Sequence, residues 1–225
     1  MPERTLKVRR LGRVDYDEAL RLQKEIETAV IKREEADTFL LLEHPHTFTL
    51  GRRVRDRSGI LAGDELLKKL GVSVYEINRG GKATYHGIGQ IVGYPIINLS
   101  PAREDIHRYV RELEEVLIRT LADFDIEAFR IEGLTGVHTK EGKVAAIGVH
   151  IKRWVTTHGF ALNVNTDLSY FDRIIACEGE PVASMEKLSE YELDLSRVED
   201  KIIKNFRAVF GYEKVIESEM IAQTA

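Results

Sequence analysis

A chain of 225 residues, 43% hydrophobic and 31% charged, is long enough to bury a substantial core and fits one domain over residues 1–225. Its net charge of −4 excludes a general nucleic-acid binder, which would carry a basic domain, and the lack of an apolar run of membrane-span length excludes a membrane protein. Met1–Arg10 is polar and basic without the apolar centre of a signal peptide, and the single cysteine cannot form an intramolecular disulfide, so the expected setting is the reducing cytoplasm.

In chain order, Asp15 is placed to cap a helix from about Tyr16 to Ala36, with Tyr16, Leu20, Gln23, Ile26, Val30 and Ile31 near one face. Phe39–Leu42 reads as an apolar strand, broken by Glu43-His44-Pro45-His46 before a second strand at Thr47–Leu50. A loop from Gly51 to Gly59 then carries Arg52, Arg53, Arg55 and Arg57 against one acidic residue, Asp56. Strand-like runs at Val72–Ile77 and Ile91–Leu99 flank a glycine-rich loop. Ser100-Pro101 has the form of an N-cap followed by proline at the first helical position, and Ile106, Val110, Leu113, Leu117 and Leu121 mark the buried stripe of that helix. Lys143–Ile151 and Thr157–Val164 read as paired strands turning near Lys152-Arg153-Trp154. A C-terminal helical segment over about residues 184–211 has Val198, Ile202, Phe206 and Phe210 at four-residue spacing and closes at Gly211. The strands neither alternate regularly with helices nor cluster, which gives an α+β class: one domain of mixed β-sheets flanked by helices.

The chemistry concentrates in three places. Arg79-Gly80-Gly81-Lys82-Ala83-Thr84-Tyr85-His86, continued by Gly87, Gly89 and Gln90, joins backbone that a ligand can approach closely to a set of polar side chains. Cys177 lies in Asp172–Gly179, bounded by charged residues and glycine rather than inside an apolar run. A lone cysteine is often an inert buried hydrophobe; as a nucleophile it needs its thiolate, which a neighbouring amine supplies as base or as positive charge. Lys143 is a candidate for that amine, although 34 residues separate the two and on spacing alone a solvated hairpin lysine is the favoured reading. The strand that Lys143 opens is lined by the small residues Ala145, Ala146 and Gly148, and Gly159-Phe160-Ala161 repeats the pattern in the next. His44-Pro45-His46 has no acidic or cysteine cluster following it, so no metal site is expected there.

Several long motifs in order carry a resemblance over about Tyr16–Gly179. They are Leu41-Leu42-Glu43-His44-Pro45, Thr49-Leu50-Gly51-Arg52-Arg53, Arg79-Gly80-Gly81 through Gly89-Gln90, and Tyr94-Pro95-Ile96. Lys143–Val149, Arg153–Val164 and Leu168–Cys177 complete the set. On these the chain resembles the lipoyl(octanoyl) transferases, within the biotin/lipoate protein ligase fold. The resemblance implies a catalytic domain with a core over about residues 16–180 and a Cys177/Lys143 dyad. Cys177 would take an octanoyl group from octanoyl-acyl carrier protein, and Lys143 would lower the thiol pKa and shuttle the proton. A lysine of a lipoyl domain, in 2-oxoacid dehydrogenases or the glycine cleavage H protein, would receive the acyl group. The implied substrate-binding residues are Arg79 to His86 (with Gly80, Gly81, Lys82, Ala83, Thr84 and Tyr85), Ala146, Ile147, Gly148, Gly159, Phe160 and Ala161. His86 and His158 would position the carbonyl or donate a proton, or serve as structural hydrogen-bonding groups. No cofactor is implied, because a thioester is already activated.

Three positions depart from the family pattern: Ile88 and His46 stand where proline is usual, and Glu178 follows Cys177 where glycine is usual. A carboxylate beside the thiol would raise its pKa, which would place more weight on Lys143. The arginine loop reads either as a solvated surface or as a dock for an acidic carrier protein. The rival reading is an ATP-dependent lipoate or biotin ligase, which shares the fold and a strand lysine but leaves Cys177 without a role.

Overall fold

A computed structural model describes residues 4–54, 57–175 and 180–218. The chain opens with β1 (Thr5–Arg13), α1 (Tyr16–Ile31), β2 (Asp37–Glu43) and β3 (Thr47–Leu50). Next come α2 (Asp64–Lys69), β4 (Ser73–Glu76), β5 (Ala83–His86), β6 (Gln90–Ile96), α3 (Ile106–Ala122) and β7 (Val137–Thr139). The remaining elements are β8 (Gly142–Lys152), β9 (Val155–Asn163), α4 (Met185–Ser189), α5 (Leu195–Phe210) and β10 (Lys214–Ser218). A seven-stranded sheet has the order β10-β1-β2-β6-β9-β8-β7, and a three-stranded sheet the order β4-β3-β5. Pairing is parallel at β10-β1, β1-β2 and β3-β4, and antiparallel elsewhere. The α+β expectation with mixed sheets holds.

The unbroken apolar run Phe39–Leu42 has a direct cause. β2 lies inside the large sheet with both faces covered, so neither face selects polar residues. Phe39 and Leu41 join the core under α3 and α5, whereas Leu40 and Leu42 join Ala19, Ile26 and Val30 of α1 on the other face. β8 and β9 form a hairpin with Lys152 opposite Val155. Its two turn residues, Arg153 and Trp154, have φ of 50° and 62°, the hand that matches strand twist in a two-residue hairpin.

Helix boundaries differ from expectation at two places. α1 ends at Ile31 rather than near Ala36, and Asp15, although at the N-cap, makes no side-chain capping bond. α3 begins at Ile106, not after Ser100: Asp105 caps it by accepting from the Arg108 N–H at 3.0 Å. Pro101 lies inside a turn that closes when the Arg103 N–H donates to the Leu99 carbonyl, and Ile106 is 47% exposed rather than part of the buried stripe. That stripe runs instead through Tyr109, Leu113, Val116, Leu117 and Leu121.

Candidate functional site

The glycine-rich loop is fastened to both sheets. Arg52 N–H donates to Arg79 O and Arg53 N–H to Gly81 O, while Gly80 N–H reaches Val149 O of β8 at 3.2 Å. Gly148 explains the small residue on β8: a Cβ there would lie 3.0 Å from Arg79 Cδ and 3.1 Å from Gly80 O. The Arg79 side chain, 8% exposed, donates to Thr49 O and Thr49 Oγ1 at 2.9 and 2.8 Å and to Gly80 O at 2.9 Å. It clamps the loop against β3 and places a fixed positive charge beside a buried cluster of aromatic and imidazole side chains.

That cluster is built from Tyr16 and Gln23 of α1, His44 after β2, His86 of β5, Tyr94 of β6 and His158 of β9. Tyr16 lies 5.0 Å from the His44 ring and 5.9 Å from the His86 ring, and Tyr94 lies 6.4 Å from His158. His44 Nδ1 donates to Val14 O at 2.7 Å, which leaves Nε2 to accept from the Tyr94 hydroxyl at 2.8 Å. Burial pulls the imidazoles down, His44 to about 4 and His158 to about 3. His86 falls well below its ordinary value, first through burial and then through His44 and Arg79. These groups are neutral near pH 7 and work as fixed hydrogen-bonding atoms.

A directed chain of hydrogen bonds leaves this cluster. His86 Nδ1 donates to Gln90 Oε1 at 3.0 Å, Gln90 Nε2 to Asn163 Oδ1 at 2.9 Å, and Asn163 Nδ2 to Ala183 O at 3.0 Å. Ala183 N–H then donates to Lys143 O at 3.0 Å. This orientation leaves His86 Nε2 an acceptor, so a proton-donating role for His86 does not fit its tautomer. His158 Nε2 pairs with Asn78 Oδ1 at 3.1 Å, and its backbone N–H donates to Gln23 Oε1 at 2.8 Å.

Lys143, at the head of β8, has a side chain only 12% exposed, with Nζ 4.0 Å from Glu180 Oε2. It is not a solvated hairpin lysine. Its backbone N–H donates to Pro181 O at 2.8 Å. Cys177 and the departure at Glu178 lie outside the described residues. On the near side of Cys177 in sequence, Ile175 N–H donates to Gly59 O at 2.8 Å.

The other residues expected at the site fall into two groups. Lys82, Thr84, Ala146, Ile147 and Gly148 are half-buried beside the loop and β8. Ala83 and Tyr85 are buried: the Tyr85 ring stacks on Tyr170 at 4.8 Å and its hydroxyl meets His46 Nδ1 at 2.8 Å. Gly159 is buried, and Phe160 and Ala161 belong to the two cores, the Phe160 ring lying over Gly93. The roles of Tyr16, Glu43, His44, Tyr94, His138 and Glu180 escaped sequence reasoning. Glu43 and His44 fall within a quoted motif, and the Glu43 carboxylate accepts from Gly89 N–H at 2.6 Å. A hollow of ≈ 680 Å³ between α5 and β10 shares none of these residues.

The large mixed sheet with its flanking helices has the fold of lipoate and biotin protein ligase catalytic domains. Lipoate-protein ligase A bound with ATP matches with a TM-score of 0.75 at 16% identity, covering 99% of this chain and 90% of that one. The biotin protein ligase from Aquifex aeolicus matches at 0.53 and 11%, covering 92% and 69%. The lipoyl protein ligase A/B catalytic domain family matches residues 15–207. The octanoyltransferase of Solibacter usitatus is 47% identical, covering 96% of this chain and 97% of the relative; that of Rubrobacter xylanophilus is 49% identical, covering 92% and 94%. The chain belongs to the lipoyl protein ligase A/B catalytic domain family, alongside its octanoyltransferases.

Proposed function

We propose that the chain is an acyltransferase of lipoate biosynthesis that moves an octanoyl group from acyl carrier protein to a lipoyl-domain lysine through a thioester on Cys177. The observation that carries this is the 47% identity to an octanoyltransferase over 96% of the chain. The ligase alternative has less support, since curated relatives 44–49% identical over most of the chain are octanoyltransferases.

The first half-reaction forms a bond between Cys177 sulfur and the octanoyl carbonyl carbon and breaks the carrier's C–S bond; the departing thiolate takes a proton from Lys143. In the second, the acceptor amine attacks the same carbon, the bond to Cys177 sulfur breaks, and the amine's proton returns to Lys143. Atoms and charge balance over the two steps, and the thioester supplies the activation that a ligase draws from ATP. Lys143 suits this role because its side chain is mostly sheltered and its strand is bonded to Pro181, four positions after Cys177. The half-buried face of Ala146 and Gly148 beside Gly80 is the proposed bed of the acyl chain, whose burial is worth about 0.8 kcal/mol per methylene. Arg79 and the neutral imidazoles of His86 and His158 fix the polar wall next to it.

Arg52 and Arg53 are exposed where the glycine-rich loop is tied down and are the proposed dock for an acidic carrier. Arg57 is paired with Asp64 at 2.5 Å, and Arg55 lies outside the described residues. The proposed acceptors are lipoyl domains of 2-oxoacid dehydrogenases or the glycine cleavage H protein. The test is transfer from octanoyl-acyl carrier protein to a purified lipoyl domain in ATP-free buffer. A gain of one octanoyl group on the acceptor is expected; modification only with ATP and free octanoate would move the chain to the ligase reading.

A further inference from the structure

We infer that Glu180 and His138 are positioning residues that hold the Lys143 amine in place, an inference that rests on the proposed Cys177–Lys143 chemistry. β7 and β8 slip register by one residue, with Val137 opposite Ala145 but His138 opposite Lys143. The slip brings His138 and Lys143 to one carboxylate: Glu180 Oε2 lies 3.4 Å from His138 Nε2 and 4.0 Å from Lys143 Nζ. All three side chains are sheltered, at 3%, 19% and 12% exposure for His138, Glu180 and Lys143.

An ionised carboxylate only accepts, so the imidazole proton facing it sits on Nε2. Nδ1 is buried and has no hydrogen-bond partner among the described residues. The ring's one polar contact there is the carboxylate. The backbone makes the same connection: Lys143 N–H donates to Pro181 O, Ala183 N–H to Lys143 O, and Lys143 pairs with Val182 in a parallel bridge. The segment bearing the carboxylate is strapped along the strand bearing the amine.

On the other side stands Gly136, whose φ is +126°. A Cβ there would lie 2.6 Å from Lys143 Cε and 3.2 Å from Nζ. Gly136 is itself fixed, since its N–H donates to Oε1 of the buried Glu114 at 3.1 Å. A lysine stem keeps its rotamer freedom unless its tip is caught. Here the tip lies between a bare glycine and a carboxylate oriented by His138. Glu180 acts through Lys143 and makes no step of its own.

Two measurements test this. Single-turnover acylation of Cys177 by octanoyl-acyl carrier protein is followed in the wild type, Glu180→Gln, Lys143→Ala and the double variant. Glu180→Gln is expected to slow acylation about tenfold, leave half-saturation by the donor within about twofold, and add nothing in the Lys143→Ala background. Glu180→Asp should recover part of the rate, and His138→Gln should show a smaller loss that also vanishes without Lys143. Equal losses in both backgrounds, or no loss in either, would overturn the inference. Competitive acetylation of lysines, read by mass spectrometry, reports the amine without catalysis: Lys143 should become several-fold more reactive in Glu180→Gln, and unchanged reactivity contradicts the positioning. Should Glu180→Gln fail to fold, Glu180→Asp carries both measurements, with an intermediate effect expected and no effect contradicting. The two readings fail separately. Absence of an octanoyl adduct on wild-type Cys177 removes the thioester chemistry, whereas an intact adduct with unmoved Lys143 acetylation removes only the role of Glu180 and His138.

Discussion

Single residues set the acid sensitivity of this fold. His44 and His158 are held by burial at about 4 and about 3, below their ordinary 6.5, and His86 is lowered by the same cause. A histidine with a depressed folded pKa binds fewer protons folded than unfolded. Its contribution is therefore full above about 6.5 and is lost as pH falls toward the folded value, at up to about 1.4 kcal/mol per pH unit per group. The melting temperature should fall between pH 6.5 and 4, and less steeply in His44→Gln; parallel curves for the two proteins would show that His44 is not the group responsible. These roles were hard to read in advance. His44 and Glu43 lie in a recognisable motif, but their partners, Tyr94 and Gly89, come from 50 and 46 residues away, and only the fold supplies them. Lys143 was legible as a candidate but not as sheltered, because Gly136 and Glu180, which flank its amine, are brought there by the fold.

Elements with a strong period were legible and those defined by caps or edges were not. The four-residue spacing of Val198, Ile202, Phe206 and Phe210 gives α5, which Gly211 ends at φ +69°. Phe206 stacks on Phe39 at 4.4 Å and on Phe210 at 4.3 Å with no exposure, so Phe206→Ala should cost about 3–5 kcal/mol. Denaturant unfolding checks this, and a loss under about 1 kcal/mol would mean that the helix is not held by that ring. The start of α3 misleads because Ser100-Pro101 imitates a helix entry that Asp105 makes five residues later. β1 and β10 escape notice for a different reason. β1 buries only Leu6 and Val8 between charged neighbours, and β10 pairs with it in parallel from the far end of the chain. Alternation at Leu6 and Val8 was the available signal, too short to separate from a basic tail.

At the scale of the whole molecule, the large sheet carries β8 and β9 while the small sheet carries the glycine-rich loop, and Gly80 N–H to Val149 O joins the two. The fold class followed from mixed helices and strands, but this junction did not, since it depends on how the two sheets meet. The exposed arginines at the same junction bear on partner choice. Arg52→Glu with Arg53→Glu should raise KM for the acyl carrier substrate several-fold with little change in kcat at saturation, and should weaken the salt dependence of KM; an unchanged KM would leave these arginines as surface charge. The proposed reaction is covalent: Cys177 holds the acyl group between donor and acceptor. The most direct measurement is intact mass spectrometry of the protein mixed with octanoyl-acyl carrier protein in the absence of ATP and acceptor. A gain of one octanoyl group is expected, absent in Cys177→Ser and slow to form in Lys143→Ala. No gain in the wild type, or an equal gain in Cys177→Ser, would contradict a thioester on Cys177.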